Sequence, residues 1–375
     1  MKVKLGEIAT IKGGKRMPKG TNLQIKKNEH PYLRITDFDN GRFNMNSLKY
    51  VPQDVFQKIS SYTISKNDIF LSIVGTIGLV ALVNKELDGA SLTENAVKIV
   101  PKSKVDNQYL AYYLQSFRGK SQIDALSVGS TQKKLPIKNI KKLEIELPKY
   151  SEQCSISHKL AILDKKIELN NEINANLDEL MSEIFKRYVT EANVFTTDSL
   201  SNIANYKNGL AMQRFRPNGA DKGLPVLKIK ELNQGFTDSS SDRCSSKISN
   251  DVIVKTGDII FSWSGTLIVK IWTGTTCGLN QHLFKVTSDK YPKWFIYKWT
   301  EYYLRQFQSI AAGKATTMGH IKRSDLKQAE VKIPHKSEID RLDKLISPIF
   351  KRYVNNILEI NSLKELKNEL LSKIF

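Results

Sequence analysis

Basic and amide side chains set among glycines are the residues of this 375-residue chain best suited to chemistry, and the chemistry they suit is recognition. They recur in pairs. Lys12-Gly13-Gly14-Lys15-Arg16-Met17-Pro18-Lys19 is matched by Lys207-Asn208-Gly209 through Gln213-Arg214-Phe215-Arg216. Ser72 to Gly78 is matched by Ser262 to Thr266, and Gly129-Ser130-Thr131-Gln132-Lys133-Lys134 by Gly313-Lys314-Ala315-Thr316-Thr317 through His320-Ile321-Lys322-Arg323. Glycine lets backbone amides approach a phosphate and lysine neutralises it, while Arg and Gln pair bidentately with guanine and adenine edges. Plain turn geometry is the competing reason for the glycines, and Ser72, Thr76, Ser262 and Thr266 read as turn residues. His282 and His320 stand in the same stretch of sequence as the second set of loops.

Bond-making chemistry is harder to find. No two prolines are adjacent, so the Asn/Asp-Pro-Pro-aromatic motif of amino-group methyltransferases is missing, and no GxG pair is present to cradle a nucleotide cofactor. Gly119-Lys120-Ser121 imitates the end of a phosphate loop, but Leu114 occupies the place of its first glycine. Glu330-Val331-Lys332 and Glu365-Leu366-Lys367 resemble nuclease triplets without a properly spaced leading acid. The histidines are dispersed with no HExxH, so neither catalytic nor metal-ligating residues are assigned. Cys154, Cys244 and Cys277 form no CxxC and read as reduced thiols of a cytoplasmic protein. No apolar run is long enough to span a bilayer, and the N-terminus lacks a secretory h-region.

The loops repeat because the whole chain repeats. LGEIATIKGG at Leu5 recurs as LSNIANYKNG at Leu200, a shift of 195 residues. HPYLRITDFDNG recurs 194 residues on, SKNDIFLSIVGTIG 190 on, and IKNIKKLEIELPKYSEQ 186 on. Four collinear matches with a smoothly drifting shift indicate duplication. Each copy starts with β-type runs broken by Gly, Asn and Pro, such as YLRITDF and NDIFLSIVG, or VLKIKEL and GDIIFSWSG. A helical segment is expected in each, near Asn107 to Arg118 and near Lys293 to Gln308. The expected fold class is therefore α/β in the mixed, α+β sense: two tandem mixed domains at 1–150 and 191–334, separated by long helices at 151–190 and 335–375.

Those helices carry heptad stripes. Ile156, Leu160, Leu163, Ile167, Asn170, Asn174, Leu177, Met181, Ile184 and Tyr188 alternate spacings of four and three, as do Leu342, Ile346, Ile349, Tyr353, Asn356, Ile360, Leu363, Lys367, Leu370 and Ile374. A helix of this length is about 50 Å long and its stripe needs a partner. The partner is either the other copy, giving a coiled coil, or the helix's own globular domain. Asn at seam positions costs stability but helps set register. Pro348 predicts a break or a late start in the second helix.

Charge separates these regions. The net charge is +20; residues 1–150 carry +12 and residues 191–334 carry +8, whereas 151–190 carry −2 and 335–375 carry +2. Two basic domains on a nearly neutral frame read as two footprints on double-stranded DNA. The candidate contacts are Lys12, Lys15, Arg16, Lys19, Thr131, Gln132, Lys133, Lys134, Lys207, Gln213, Arg214, Arg216, Lys314, Thr316, Thr317, His320, Lys322 and Arg323.

The duplicated order of domain and helix, with GSTQKKLPIKNIKKLEIELPKYSEQ (129–153) and its equivalent GKATTMGHIKRSDLKQAEVKIPHKSEI (313–339), resembles the specificity subunits of type I restriction–modification systems over the full length. Ile339 stands where the first copy has Gln153, and the third loop differs between copies. The resemblance implies two target-recognition domains, each reading half of a bipartite asymmetric site, with the helices pairing antiparallel to fix the gap. It implies a non-catalytic chain. Two methyltransferase subunits would bring S-adenosylmethionine for adenine methylation, and restriction subunits would bring ATP and Mg; no membrane partner is implied. A DNA-binding scaffold or regulator without a modification partner is the alternative.

Overall fold

The strands form where apolar residues run or alternate between turn residues. In Ile69–Ser72 all four side chains are buried, as expected for a central strand, whereas Ala9–Gly13 alternates buried and exposed. The structure is a computed structural model that describes residues 1–39, 41–130, 132–313 and 319–375.

The first globular domain contains an antiparallel sheet with the strand order Ala9–Gly13, Ala96–Pro101, Ile69–Ser72, Val80–Leu82. A second sheet has the order Lys49–Tyr50, Pro31–Leu33, Ala90–Leu92, Thr63–Ile64, with a parallel pair at its centre. Lys2–Lys4 pairs antiparallel with Glu144–Glu146, so the first strand is zipped to the last one before the long helix.

The second globular domain repeats all three arrangements. Asn205–Asn208, Leu283–Thr287, Ile259–Ser262 and Val269–Ile271 form the antiparallel sheet. Arg243–Cys244, Leu224–Leu227, Cys277–Leu279 and Ile253–Val254 form the mixed one, again with a parallel central pair. Phe195–Ser199 pairs with Glu330–Pro334. The ion pair on the antiparallel sheet is repeated as well: Lys98 to Asp68 at 3.8 Å and Lys285 to Asp258 at 2.8 Å. Each expected helix is found as two: Asn107–Gln115 then Phe117–Leu126, and Lys293–Tyr302 then Leu304–Ala312. In the first copy Ser116 has extended backbone and its hydroxyl accepts from Gly119 N–H, starting a new helix.

The long helices are Tyr150–Phe185, followed by a π-helical turn at Lys186–Thr190, and Lys336–Ile374. The second runs through Pro348, contrary to the expected break. Pro348 itself is exposed, while Leu342, Ile346 and Phe350 beside it are buried. Proline in a helix interior costs about 3 kcal/mol, and burial of three large apolar side chains outweighs that.

The chain divides into two compact units, Met1–Lys166 with Leu363–Phe375, and Ile167–Ser362. Within the first unit Asp164 takes Lys367 at 2.7 and 2.8 Å, and the Tyr112 hydroxyl donates to Asp164 at 2.7 Å. Leu160 clusters with Tyr112 and Leu371, and Phe375 packs edge-on against Tyr109 and Tyr113. Within the second unit Asn170 donates to Glu359 at 2.9 Å, and Asn356 donates to Asn174 at 3.0 Å. In each unit, rising numbers on one helix meet falling numbers on the other, so the segments run antiparallel. Of the stripe, Leu160, Ile167, Met181, Leu342, Ile346 and Ile360 are buried; Ile156, Leu163, Leu177, Ile349, Leu363 and Leu370 are half-buried. Met181, Leu342 and Ile346 also join the core of Trp294, Phe295 and Trp299. Helix pairing and packing on a globular domain, posed as alternatives, therefore coexist.

Candidate nucleic-acid interface

The short link between strands Ala90–Leu92 and Ala96–Pro101 gathers the loops of the first unit. Gly14 N–H donates to Ala96 O at 3.1 Å and Lys15 N–H to Leu92 O at 2.8 Å. Ile73 N–H donates to Asn95 O, and Leu135 N–H to Ile73 O. The first two loops are thus laced to residues 92–96, and the third is laced to the second through Ile73. The second unit is laced identically: Gly209 to Leu283, Leu210 to Leu279, Trp263 to His282, and Ile321 to Trp263. A Cβ on Gly14 would lie 2.1 Å from Thr93 O, and one on Gly209 2.2 Å from Asn280 O. These glycines exist for close backbone approach. Their N–H groups are spent on strand carbonyls, which overturns the reading that they cradle phosphate.

Ser72 and Ser262 are fully buried and pin the second loop. Their hydroxyls donate to Thr76 O at 2.6 Å and Thr266 O at 2.7 Å, and Gly75 and Gly265 take positive φ at the turn. These serines are turn residues, as the sequence indicates.

On this shared base the side chains differ. In the first unit Arg16 is 80% exposed and its Nε donates to Glu94 at 2.6 Å. Glu94 also receives the Thr93 hydroxyl at 3.1 Å and the Tyr32 hydroxyl at 3.4 Å. Burial opposes ionisation of Glu94, but the hydrogen bonds from Arg16 and Thr93 outweigh it and hold the carboxyl below the ordinary glutamate range. Tyr32 is pushed up to about 12, chiefly by burial. Lys15 is exposed, 5.5 Å from the Tyr62 ring. Lys19, Gln132 and Lys134 are exposed, and Lys133 pairs with Asp124 at 2.7 Å.

In the second unit Trp263 occupies the place of Ile73. Its Nε1 donates to Asn208 at 3.0 Å, and its ring lies near His282 and His320, at 5.9 and 6.4 Å. Gln281 stands where Glu94 stands and lies 3.4 Å from His282 Nε2. Gln213, Arg214 and Arg216 are exposed in and beside the helical turn Met212–Arg214. Lys322 is exposed; Arg323 donates to Tyr206 O at 3.3 Å and covers the Phe284 ring. Lys12 and Lys207 lie in strands instead of loops, and Lys207 is paired with Asp251. Thr131, Lys314, Thr316 and Thr317 lie outside the described residues.

Glu94, Tyr32, Trp263 and Gln281 were not singled out from the sequence. Aligning SLTENAV with GLNQHLF would have found two of them, since both carry three hydrogen-bonding side chains between apolar strands.

Two copies of one fold, each presenting basic and hydrogen-bonding loops and each followed by a long helix, define a recognition protein with two reading modules. The family described as the type I restriction modification DNA specificity domain matches residues 1–179 and again 193–371. The chain belongs to that family. It is similar to the specificity subunit of the type I restriction enzyme MjaIX of Methanocaldococcus jannaschii, 23% identical over 401 residues, covering 99% of this chain and 91% of that protein. It is likewise similar to the EcoKI specificity subunit of Escherichia coli K12, 23% identical, covering 98% and 86%. The crystal structure of a type I restriction–modification S subunit from M. genitalium has the same fold, with a TM-score of 0.58 and 15% identity, covering 100% of this chain and 96% of that one.

Proposed function

We propose that this chain is the DNA-reading specificity subunit of a type I restriction–modification complex. The observation that carries the reading is the pair of family domains, built on one backbone junction but fitted with different exposed side chains. One domain per half-site follows, and unlike side chains give an asymmetric bipartite site. Lys15, Arg16, Lys19, Gln132, Lys133 and Lys134 would serve one half; Gln213, Arg214, Arg216, His320, Lys322 and Arg323 would serve the other, with Lys12 and Lys207 adding charge. Phosphate contacts supply affinity and base edges supply sequence. The domain bounds 1–150, 151–190, 191–334 and 335–375 belong to the proposal, with the two helices setting the unread gap.

Methyl transfer from S-adenosylmethionine and ATP- and Mg-dependent restriction belong to partner subunits: two methyltransferase chains, joined by restriction chains. The complex would work in the cytoplasm; no helix among the described residues is long and apolar enough to cross a membrane. The test is methylome sequencing of cells expressing this chain with its methyltransferase, before and after exchange of residues 1–150 for those of another specificity subunit. One half of the methylated site should change while the other half and the gap persist. Change in both halves, or in neither, would refute the division of labour.

A further inference from the structure

Every arginine in a basic domain can bind phosphate, but few are aimed. Arg34 spends its guanidinium on Asp37 at 2.5 and 2.8 Å and on Ser47 O. Arg118 is paired with Glu146 at 2.8 Å. Arg16 differs. Only its Nε is engaged, by Glu94, while Nη1 and Nη2 carry no partner among the described residues and the side chain is 80% exposed. Glu94 is 29% exposed and is itself fixed by the Thr93 and Tyr32 hydroxyls. Tyr32 is buried, and its single hydroxyl hydrogen is directed mainly at Lys15 O at 2.7 Å with Glu94 as the longer, shared acceptor at 3.4 Å, tying that assembly to the loop bearing Arg16.

A carboxylate inside a domain of net charge +12 weakens phosphate binding, so it needs another purpose. Holding Nε fixes the plane of the guanidinium and leaves the two terminal amino groups as an outward fork. That fork matches O6 and N7 of guanine in the major groove. Resting on the DNA-reading role above, we infer that Arg16 reads a guanine in the half-site of the first domain and that Glu94 is its positioning residue. The second domain has Ala211 and Gln281 at these places, so it lacks this reader.

The test selects bound duplexes from a pool randomised over both half-sites, using the full-length chain. Wild type should enrich a guanine at one position that Arg16→Ala and Arg16→Lys both lose, a drop in discrimination of about tenfold or more. All other positions in both half-sites should persist. Glu94→Ala should lose the same guanine while binding a random-sequence duplex at least as tightly, because an anion has left the surface. Glu94→Gln should retain most of the preference, since its amide oxygen still accepts from Nε. Arg16 is exposed, so its variants test the reading without threatening the fold. An unchanged guanine preference in the Arg16 variants, with the bipartite site intact, overturns this inference alone. Loss of random-sequence binding in Glu94→Ala, matching its loss of preference, overturns the positioning role. A wild type that enriches nothing overturns both this inference and the DNA-reading function.

Discussion

The two globular domains share every strand pairing of three sheets and the four backbone hydrogen bonds that lace the loops together; among the described residues only the first adds a short hairpin, Phe38–Asp39 with Arg42–Phe43. They disagree at nearly every side chain mounted on that lacing. Where the first has Arg16, Ile73, Glu94, Asn95 and Lys134, the second has Ala211, Trp263, Gln281, His282 and His320. One end is ionic, with a salt bridge at 2.6 Å; the other is aromatic and amide-rich, with Trp263 among two histidines. Backbone contacts depend on glycine and on buried hydroxyls, which few substitutions satisfy. Exposed loop side chains pack against little, so they can change without unfolding the domain. A duplicated chain thereby acquires two recognition surfaces on one scaffold.

The comparison breaks first at the glycines. Gly14→Ala and Gly209→Ala each drive a methyl into a backbone carbonyl that cannot retreat without breaking a strand pair. Each should destabilise its own unit by about 3 kcal/mol, read by hydrogen exchange of that unit's sheet. An effect in one copy and none in the other would show that the junctions are not equivalent. Next come the buried serines: Ser72→Ala and Ser262→Ala should each cost about 2 kcal/mol in thermal unfolding. Ser72 should suffer more, since Leu79 N–H also loses its acceptor. The smallest effects sharpen the contrast between scaffold and surface. Asp124→Asn and Asp251→Asn release Lys133 and Lys207 from exposed ion pairs. Stability should move by about 0.5 kcal/mol or less, while affinity for random-sequence DNA rises and falls more steeply with salt. A loss of affinity would mean these carboxylates support the surface they neutralise.

Much of this is legible in particular residues of the sequence. The heptad stripe includes Leu160, Met181, Leu342 and Ile346, and all four are buried, because a 3.5-residue apolar period leaves a helix one face to hide. Asn170, Asn174 and Asn356 fall at polar seam positions, and each makes a cross-helix hydrogen bond within its unit. Pro348 misleads, because its local cost is smaller than the burial on either side of it. Glu94 escapes notice because an acid in a basic stretch reads as a surface charge until its three donors, from residues 1, 62 and 78 positions away, are in place.

The sequence by itself determined the duplication, the mixed domains, the long helices and the location of the positive charge, since periodicity and composition are local sums that need no coordinates. The tertiary structure decided which glycines were spent on strand carbonyls, that Arg16 is held at Nε with its terminal amino groups open, and how each unit's core recruits both helices. Those outcomes depend on residues far apart in the chain arriving within hydrogen-bond reach, and spacing along the sequence carries no record of that distance.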